Sequence, residues 1–374
     1  GVRRNLDALY AAIRAGKVLS AWALGLGGVA EAALKMALGN CIGARIENVE
    51  NPFAQDFGAV LLEMAPGETL GETVGETLAD YVLEYAGERV DLLPVQEIYE
   101  GKMDKVFPWR GEGEKLPAVT FAAKRWPMPN VLNQRPVAFI PTFPGTNCEV
   151  DTARALIRAG AEPRVLVINN LTPAAITESI EAAARMIGES QMIVLPGGFS
   201  GGDEPDGSAK FIASFFRNPE VTEAVRRLLQ QRDGLMLGIC NGFQALIKLG
   251  LVPYGDIRPI TAYDPTLTFN TIGRHQSMLV RTRIASTGSP WLSKCEVGEQ
   301  FTVAISHGEG RFVAPQEVLD TLMKNGQIAT QYVDIEGNPT MDQSYNPNGS
   351  VLAIEGITSP DGRVFGKMGH SERS

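Results

Sequence analysis

The sequence is poor in the side chains that several kinds of site require. Its 374 residues hold three histidines and four cysteines. The cysteines, Cys41, Cys148, Cys240 and Cys295, are widely separated and form no C-x-x-C pair. That argues against a Cys/His zinc site and a disulfide framework, and suits a reducing compartment. Positive charge is in deficit: 34 Lys and Arg against 43 Asp and Glu leave a net charge of -9. A nucleic-acid or anionic-membrane binder would show the opposite balance. Long apolar runs are missing as well. The longest uncharged stretch near the N-terminus, between Lys17 and Glu31, holds 13 residues and ends in Gly25, Gly27 and Gly28. A spanning helix needs about 20 apolar residues, and the glycines fit a secretory signal poorly. The stretch reads as a strand and turn of a cytoplasmic protein. What remains is globular: 44% hydrophobic and 21% charged, with length for two or three domains whose cores need no staple.

The chain changes texture twice. Within residues 1–108, Val18–Leu26 reads as a strand, Gly27–Gly28 as a turn and Val29–Leu38 as a helix. The helix rests on Ala, Leu, Lys and Met with no β-branched run after Val29. Phe57–Met64 reads as a buried strand. A near-repeat follows, starting at Gly67, Gly71 and Gly75, whose acids Glu68, Glu72, Glu76, Asp80, Glu84 and Glu88 recur every four residues. On a helix these would line one face and could hold a cation. The plainer reading is a solvated face or loop, because glycine every fourth residue weakens a helix. Residues 109–134 mix Gly, Glu, Lys and Pro and read as a linker crossing a surface.

From residue 135 strands and helices alternate. Strands are expected at Pro136–Phe143, Arg164–Ile168, Met192–Leu195 and Gly234–Ile239. Helices are expected at Glu149–Ala159, closed by Gly160, at Pro173–Met186, twice within Ala209–Gln230, and at Asn241–Leu249. Such spacing implies right-handed βαβ units and a parallel sheet, with ligands beyond the carboxyl ends of the strands.

The sharpest motif is Gly238-Ile-Cys-Asn-Gly242. A buried strand runs into a helix with Cys240 at the corner and glycines two before and two after, as a nucleophile elbow requires. The helix N-terminus would favour a thiolate. The competing reading is an inert core cysteine. A thiolate nucleophile needs a base, and the base an orienting group. His370 stands two before Glu372, and in an extended segment such residues point the same way. His307 has Glu309 at the same spacing, so spacing alone does not choose between them. His275 has no acid nearby and reads as structural or surface. For the oxyanion, one backbone donor could come from Gly198 or Phe199 in the glycine loop after Leu195, the other from Asn241. Asp203 and Asp206 in that loop read as surface or capping residues.

Together, Pro196-Gly-Gly-Phe-Ser200, Gly238-Ile-Cys-Asn-Gly-Phe-Gln244 and a late His-x-Glu resemble a class I, or triad, glutamine amidotransferase. Pro144-Gly-Thr-Asn-Cys-Glu149, Gly197–Asp203, Ser306-His-Gly-Glu-Gly-Arg311 and Gly369-His-Ser-Glu-Arg373 narrow it. They resemble the glutaminase domain of phosphoribosylformylglycinamidine synthase in its large form, over about residues 135–374. The resemblance implies a flavodoxin-like α/β domain. It implies Cys240, His370 and Glu372 as the triad, and places Gln244 where substrate glutamine is held. His307 and Glu309 would belong to a separate motif beside the site, with His307 near substrate. Many glutaminases flank the triad histidine with proline, whereas this chain has Gly369 and Ser371.

Residues 1–108, through Trp22–Leu34, resemble the C-terminal half of an aminoimidazole-ribonucleotide-synthetase-like α/β module. The resemblance implies glutamine as substrate and no cofactor in this chain. It implies ATP and Mg2+ for the synthase domains upstream, which nothing here resembles and which would be the partner of this piece. The chain starts at Gly1, and Glu372 lies two residues before the last, so it is expected to be the C-terminal portion of a longer enzyme. Two other classes stay open. One is another cysteine hydrolase on this sheet, a peptidase or deglycase, which often has histidine where Asn241 stands. The other is a scaffold with a vestigial triad.

Overall fold

The computed structural model describes residues 2–103, 113–123, 135–200 and 208–373. The chain divides into two compact units, Gly1–Pro108 and Trp109–Ser374.

The first unit runs α1 (Val2–Arg14), β1 (Val18–Ala23), α2 (Gly28–Asn40), β2 (Gly43–Ile46), β3 (Val60–Met64), β4 (Gly75–Leu78), β5 (Val82–Tyr85), β6 (Glu88–Asp91) and α3 (Leu92–Gly101). β1 pairs antiparallel with β3, and a four-stranded sheet runs β4-β2-β5-β6. Ala30 and Ala33 of α2 pack on Ile46 of β2. The strand, turn and helix expected over residues 18–38 are present. β3 is only half-buried, not the buried strand expected. The acid-rich repeat forms no helix. Residues 67–74 are turn and coil, in line with the plainer reading, and the later acids fall on or beside β4, β5 and β6, where arginines pair with some of them. Arg45 meets Glu76 at 2.6 Å and Glu84 at 2.8 Å, and Arg89 meets Asp80 at 2.8 Å.

The second unit opens with residues 113–123, which lie along its surface. The Leu116 amide donates to the Pro339 carbonyl and the Phe121 amide to Ala285. The rest of the expected linker, 109–112 and 124–134, falls outside the described residues. Then follow β7 (Val137–Thr142), α4 (Glu149–Arg158), β8 (Glu162–Val167), α5 (Pro173–Glu189), β9 (Met192–Leu195), α6 (Lys210–Phe216), α7 (Pro219–Arg226), β10 (Leu235–Ile239) and α8 (Asn241–Leu249). After a short turn, α9 (Leu251–Tyr254), come β11 (Thr266–Thr268), β12 (Gln276–Ile284), β13 (Gln300–His307), β14 (Arg311–Val313), α10 (Gln316–Lys324), β15 (Ile328–Val333), β16 (Ile354–Thr358) and β17 (Val364–Lys367).

Nine of these strands form one sheet in the order β13-β12-β15-β16-β17-β10-β9-β7-β8. The half from β8 to β17 is parallel, as expected. The half from β16 to β13 is antiparallel and extends the sheet beyond the expected parallel one. Phe139, Leu195, Met236, Phe243 and Leu246 pack in the main core around β7, β9, β10 and α8. Burying a side chain of that size contributes about 1.5–3 kcal/mol. The carboxyl ends of β7, β9, β10 and β17 therefore stand on a rigid floor. Among the described residues, no helix is long and apolar enough to cross a membrane.

Candidate active site

Cys240 sits at the corner between β10 and α8 with φ 52° and ψ -105°. This is a sparsely populated conformation that costs about 1–3 kcal/mol. Backbone hydrogen bonds hold it: the Cys240 amide donates to the Lys367 carbonyl at 2.8 Å, and the Gln244 amide donates to the Cys240 carbonyl at 3.0 Å. The flanking glycines are demanded by contact. A Cβ on Gly238 would lie 2.6 Å from the Gly242 backbone, and one on Gly242 would lie 2.2 Å from the Leu195 carbonyl oxygen. The corner is a true elbow, and Cys240 faces one cavity with His370, Cys148, Asn147, Gly198, Phe199, Ser306 and Arg373.

His370 follows β17 and is fastened to β13 by its amide, which donates to the Ala304 carbonyl at 2.8 Å. Its Nδ1 lies 2.6 Å from Glu372 Oε1, with both side chains buried. The segment is not extended, as expected from sequence, but a 3-10 turn over Ser371–Arg373. The turn still aims both groups at each other. Arg373 anchors it, with Nε 3.4 Å from Asp151 Oδ2 and Nη2 donating to Cys148 Sγ at 3.0 Å.

The rival pair does not form. His307 Nδ1 faces Asn270 Oδ1 at 3.2 Å, while Glu309 Oε2 accepts the Ser208 amide at 2.8 Å. His307 is 1% exposed, and its Nε2 has no hydrogen-bond partner. Burial pushes its pKa down to about 3, which holds the ring neutral. The cavity is lined by the preceding residue, Ser306, and not by His307. His275 lies on the outside, with Nε2 2.9 Å from Ser306 Oγ and its ring 5.9 Å from that of Phe199.

Gly198 and Phe199 both line the cavity, but the Phe199 amide donates to the Gly145 carbonyl at 2.8 Å. That donor is already engaged, which leaves Gly198 as the loop's candidate. Gln244 does not line the cavity. Its Oε1 accepts from Asn241 Nδ2 at 2.8 Å and its Nε2 donates to the Glu309 carbonyl at 2.6 Å, so its amide ties the elbow helix to the 308–310 loop. The Asn241 side chain also accepts from the Ser200 hydroxyl at 2.6 Å, which leaves its backbone as the part suited to an oxyanion. Asp203 and Asp206 lie outside the described residues.

Sequence reasoning missed Cys148. It is buried, its Sγ lies 3.9 Å from His370 Nδ1, and burial pushes its thiol up to about 11. The motif around it, Pro144–Glu149, was visible, but nothing in it indicates contact with a residue 222 positions later. Cys148, His370 and Glu372 place ligand atoms within 4.8 Å of one another. A thiol and an imidazole suit a soft cation, not the oxygen shell that Mg2+ takes, so no ATP-Mg2+ chemistry is assigned to this cavity.

The family model of the CobB/CobQ-like glutamine amidotransferase domain matches residues 135–374. Subunit PurQ of phosphoribosylformylglycinamidine synthase from Methanococcus maripaludis is 35% identical over 237 residues, which are 62% of this chain and 79% of that one. The same subunit from Chlorobium chlorochromatii is 36% identical over 233 residues, 62% of this chain and 86% of that one. A solved structure, PurLQS from Thermotoga maritima, aligns with a TM-score of 0.46 and 27% identity, covering 64% of this chain and 89% of that one.

Proposed function

This chain belongs to the CobB/CobQ-like glutamine amidotransferase family through residues 135–374, and from that premise we propose that it is the glutaminase of a phosphoribosylformylglycinamidine synthase. The observation that carries the reading is the strained Cys240 elbow opening on the same cavity as the His370–Glu372 pair.

The Cys240 thiol passes its proton to His370, and the resulting thiolate attacks the side-chain carbonyl carbon of glutamine. The carbonyl electrons move to oxygen, where the backbone amides of Gly198 and Asn241 receive the charge. The carbon–nitrogen bond breaks, and His370 gives the departing nitrogen its proton, so ammonia leaves and a glutamyl thioester remains. His370 then takes a proton from water. The resulting hydroxide attacks the thioester, the carbon–sulfur bond breaks, and glutamate is released. Glu372 holds the imidazole in one tautomer and balances its positive charge. Gln244 braces the elbow helix against the 308–310 loop, and His307 meets Asn270, which also accepts the Gly310 amide of that loop.

The finer identity rests on the motifs. We propose that the chain comes from the large form, in which synthase domains and glutaminase share one polypeptide in the cytoplasm. The same proposal makes residues 1–108 part of an aminoimidazole-ribonucleotide-synthetase-like module and 109–134 the linker. Support comes from the Trp22–Leu34 motif, which forms the end of β1, its turn and much of α2. ATP and Mg2+ would serve the synthase domains, where ammonia converts an activated amide to an amidine.

Glutamine hydrolysis by this chain is the test. Cys240→Ala abolishes it, His370→Ala lowers kcat by about 10²–10⁴, and His307→Ala retains turnover. Loss with His307→Ala alone would mean that the base is misassigned.

A further inference from the structure

β17 ends at Lys367, and three residues later the chain must deliver His370 to the cavity. Of the three amides that follow Lys367, two have backbone partners. Met368 donates to the Glu355 carbonyl at 3.2 Å, and His370 donates to Ala304. The amide between them, that of buried Gly369, donates to a side chain instead: Glu355 Oε1, at 2.6 Å. Glu355 is 0% exposed. Its other oxygen accepts from the Thr330 hydroxyl, and the Lys367 ammonium stands 4.0 Å from Oε1. A buried carboxylate is costly unless its oxygens are satisfied, and here the hydroxyl, the ammonium and the backbone amide before His370 do so together.

Residue 369 is fitted to this arrangement. A Cβ there would lie 2.5 Å from Val303 Cγ2 and 3.0 Å from Glu355 Oε1. A proline would also remove the N–H that Glu355 accepts. We infer that Glu355 is a positioning residue for His370: it fixes the Gly369 amide, and with it the place at which the imidazole enters the cavity. Glu355 and Gly369 thus act as a coupled pair. The inference rests on the glutaminase reading, in which His370 moves the protons.

The test uses this 374-residue chain with Glu355→Ala, Glu355→Gln, Gly369→Pro and the Glu355→Ala/Gly369→Pro double variant. Two quantities are read: kcat and KM for glutamine, and the pH profile of Cys240 alkylation by iodoacetamide. Small displacements of a proton-transfer group cost large factors in rate. Glu355→Ala is expected to lower kcat about tenfold or more with KM within about twofold. It is also expected to move the alkylation midpoint to higher pH, because a displaced imidazolium no longer favours the thiolate. Glu355→Gln, which keeps an acceptor oxygen, restores most of kcat. Gly369→Pro does less damage in the Glu355→Ala background than alone, because no carboxylate is then left facing the proline ring.

A folded Glu355→Ala variant with wild-type kcat and alkylation profile would overturn the inference, as would strictly additive effects at 355 and 369. Should Glu355→Ala not fold, Thr330→Val frees the carboxylate's other oxygen. Lower kcat at unchanged KM then supports the inference, and wild-type kcat overturns it. If the unmutated chain does not hydrolyse glutamine, the glutaminase reading fails, while the alkylation profiles still report on positioning.

Discussion

His370 Nδ1 and Glu372 Oε1 lie 2.6 Å apart, both buried, on a turn that Arg373 ties to Asp151 and Cys148. A carboxylate on a three-residue turn would ordinarily be loose. Here two contacts to the start of α4 hold it.

The first prediction concerns that anchor. Arg373→Met keeps the stem but removes the guanidinium donors, so Glu372 loses its tether. The expected result is a fall in kcat for glutamine of about tenfold. The Tm should change little, because a partly exposed ion pair contributes only about 0–1 kcal/mol. Steady-state kinetics and a thermal melt on the same sample check it; an unchanged kcat would show that the turn holds itself.

Gly197 tests how tightly the cavity is built. A Cβ there would lie 2.5 Å from His370 Cε1, 3.1 Å from Cys148 Sγ and 3.4 Å from Cys240 Cβ. Gly197→Ala should push the imidazole off its line and reduce kcat by about 10². Overpacking of this kind costs about 1–3 kcal/mol of stability, readable by denaturant titration. A fully active variant would show that the ring has slack.

His307 predicts a pH dependence of stability. Its folded pKa is pushed down to about 3 from an ordinary 6.5. Between those values the unfolded chain binds a proton that the folded chain does not. The stability from this site is therefore complete above about 6.5 and is lost as pH falls, by up to about 1.4 kcal/mol per pH unit. His307→Asn, which cannot take up that proton, should flatten the fall in Tm on the acid side. Parallel curves for both proteins would place the acid sensitivity elsewhere.

Cys148 and Cys240 should react differently although they share a cavity. Burial holds the Cys148 thiol up to about 11, so it stays protonated near neutral pH. Brief iodoacetamide treatment followed by peptide mapping should modify Cys240 and the exposed Cys41 before Cys148. Modification of Cys148 first would reverse the reactivity assigned here.

How much of this was legible from sequence depends on what each signal needed. β7, β9 and β10 are short apolar runs buried within a parallel sheet, and such runs announce themselves. β4 and β6 carry no such pattern: their residues are half-buried or exposed, and β4 is held in part by Arg45, a partner 31 residues away from Glu76. β12 and β13 are antiparallel strands whose first halves alternate weakly or stay exposed, so the sheet's extension did not show. At the site, the Cys240 elbow and the His370–Glu372 spacing are local and could be read. The spent Phe199 amide, the internal bonds of Gln244 and the approach of Cys148 to His370 are contacts between distant residues, which spacing does not encode. Gly369 is explained only by distant residues: Val303 on β13 would lie 2.5 Å from a Cβ there, and Glu355 on β16 accepts its amide.

The central claim is that Cys240 forms a glutamyl thioester. Its most direct test is to mix the chain with glutamine, quench in acid, and map the adduct by mass spectrometry. A hydroxylamine-labile glutamyl group is expected on the peptide containing Cys240, absent in Cys240→Ala. An adduct on the Cys148 peptide, or glutamine consumption undiminished in Cys240→Ala, would contradict it.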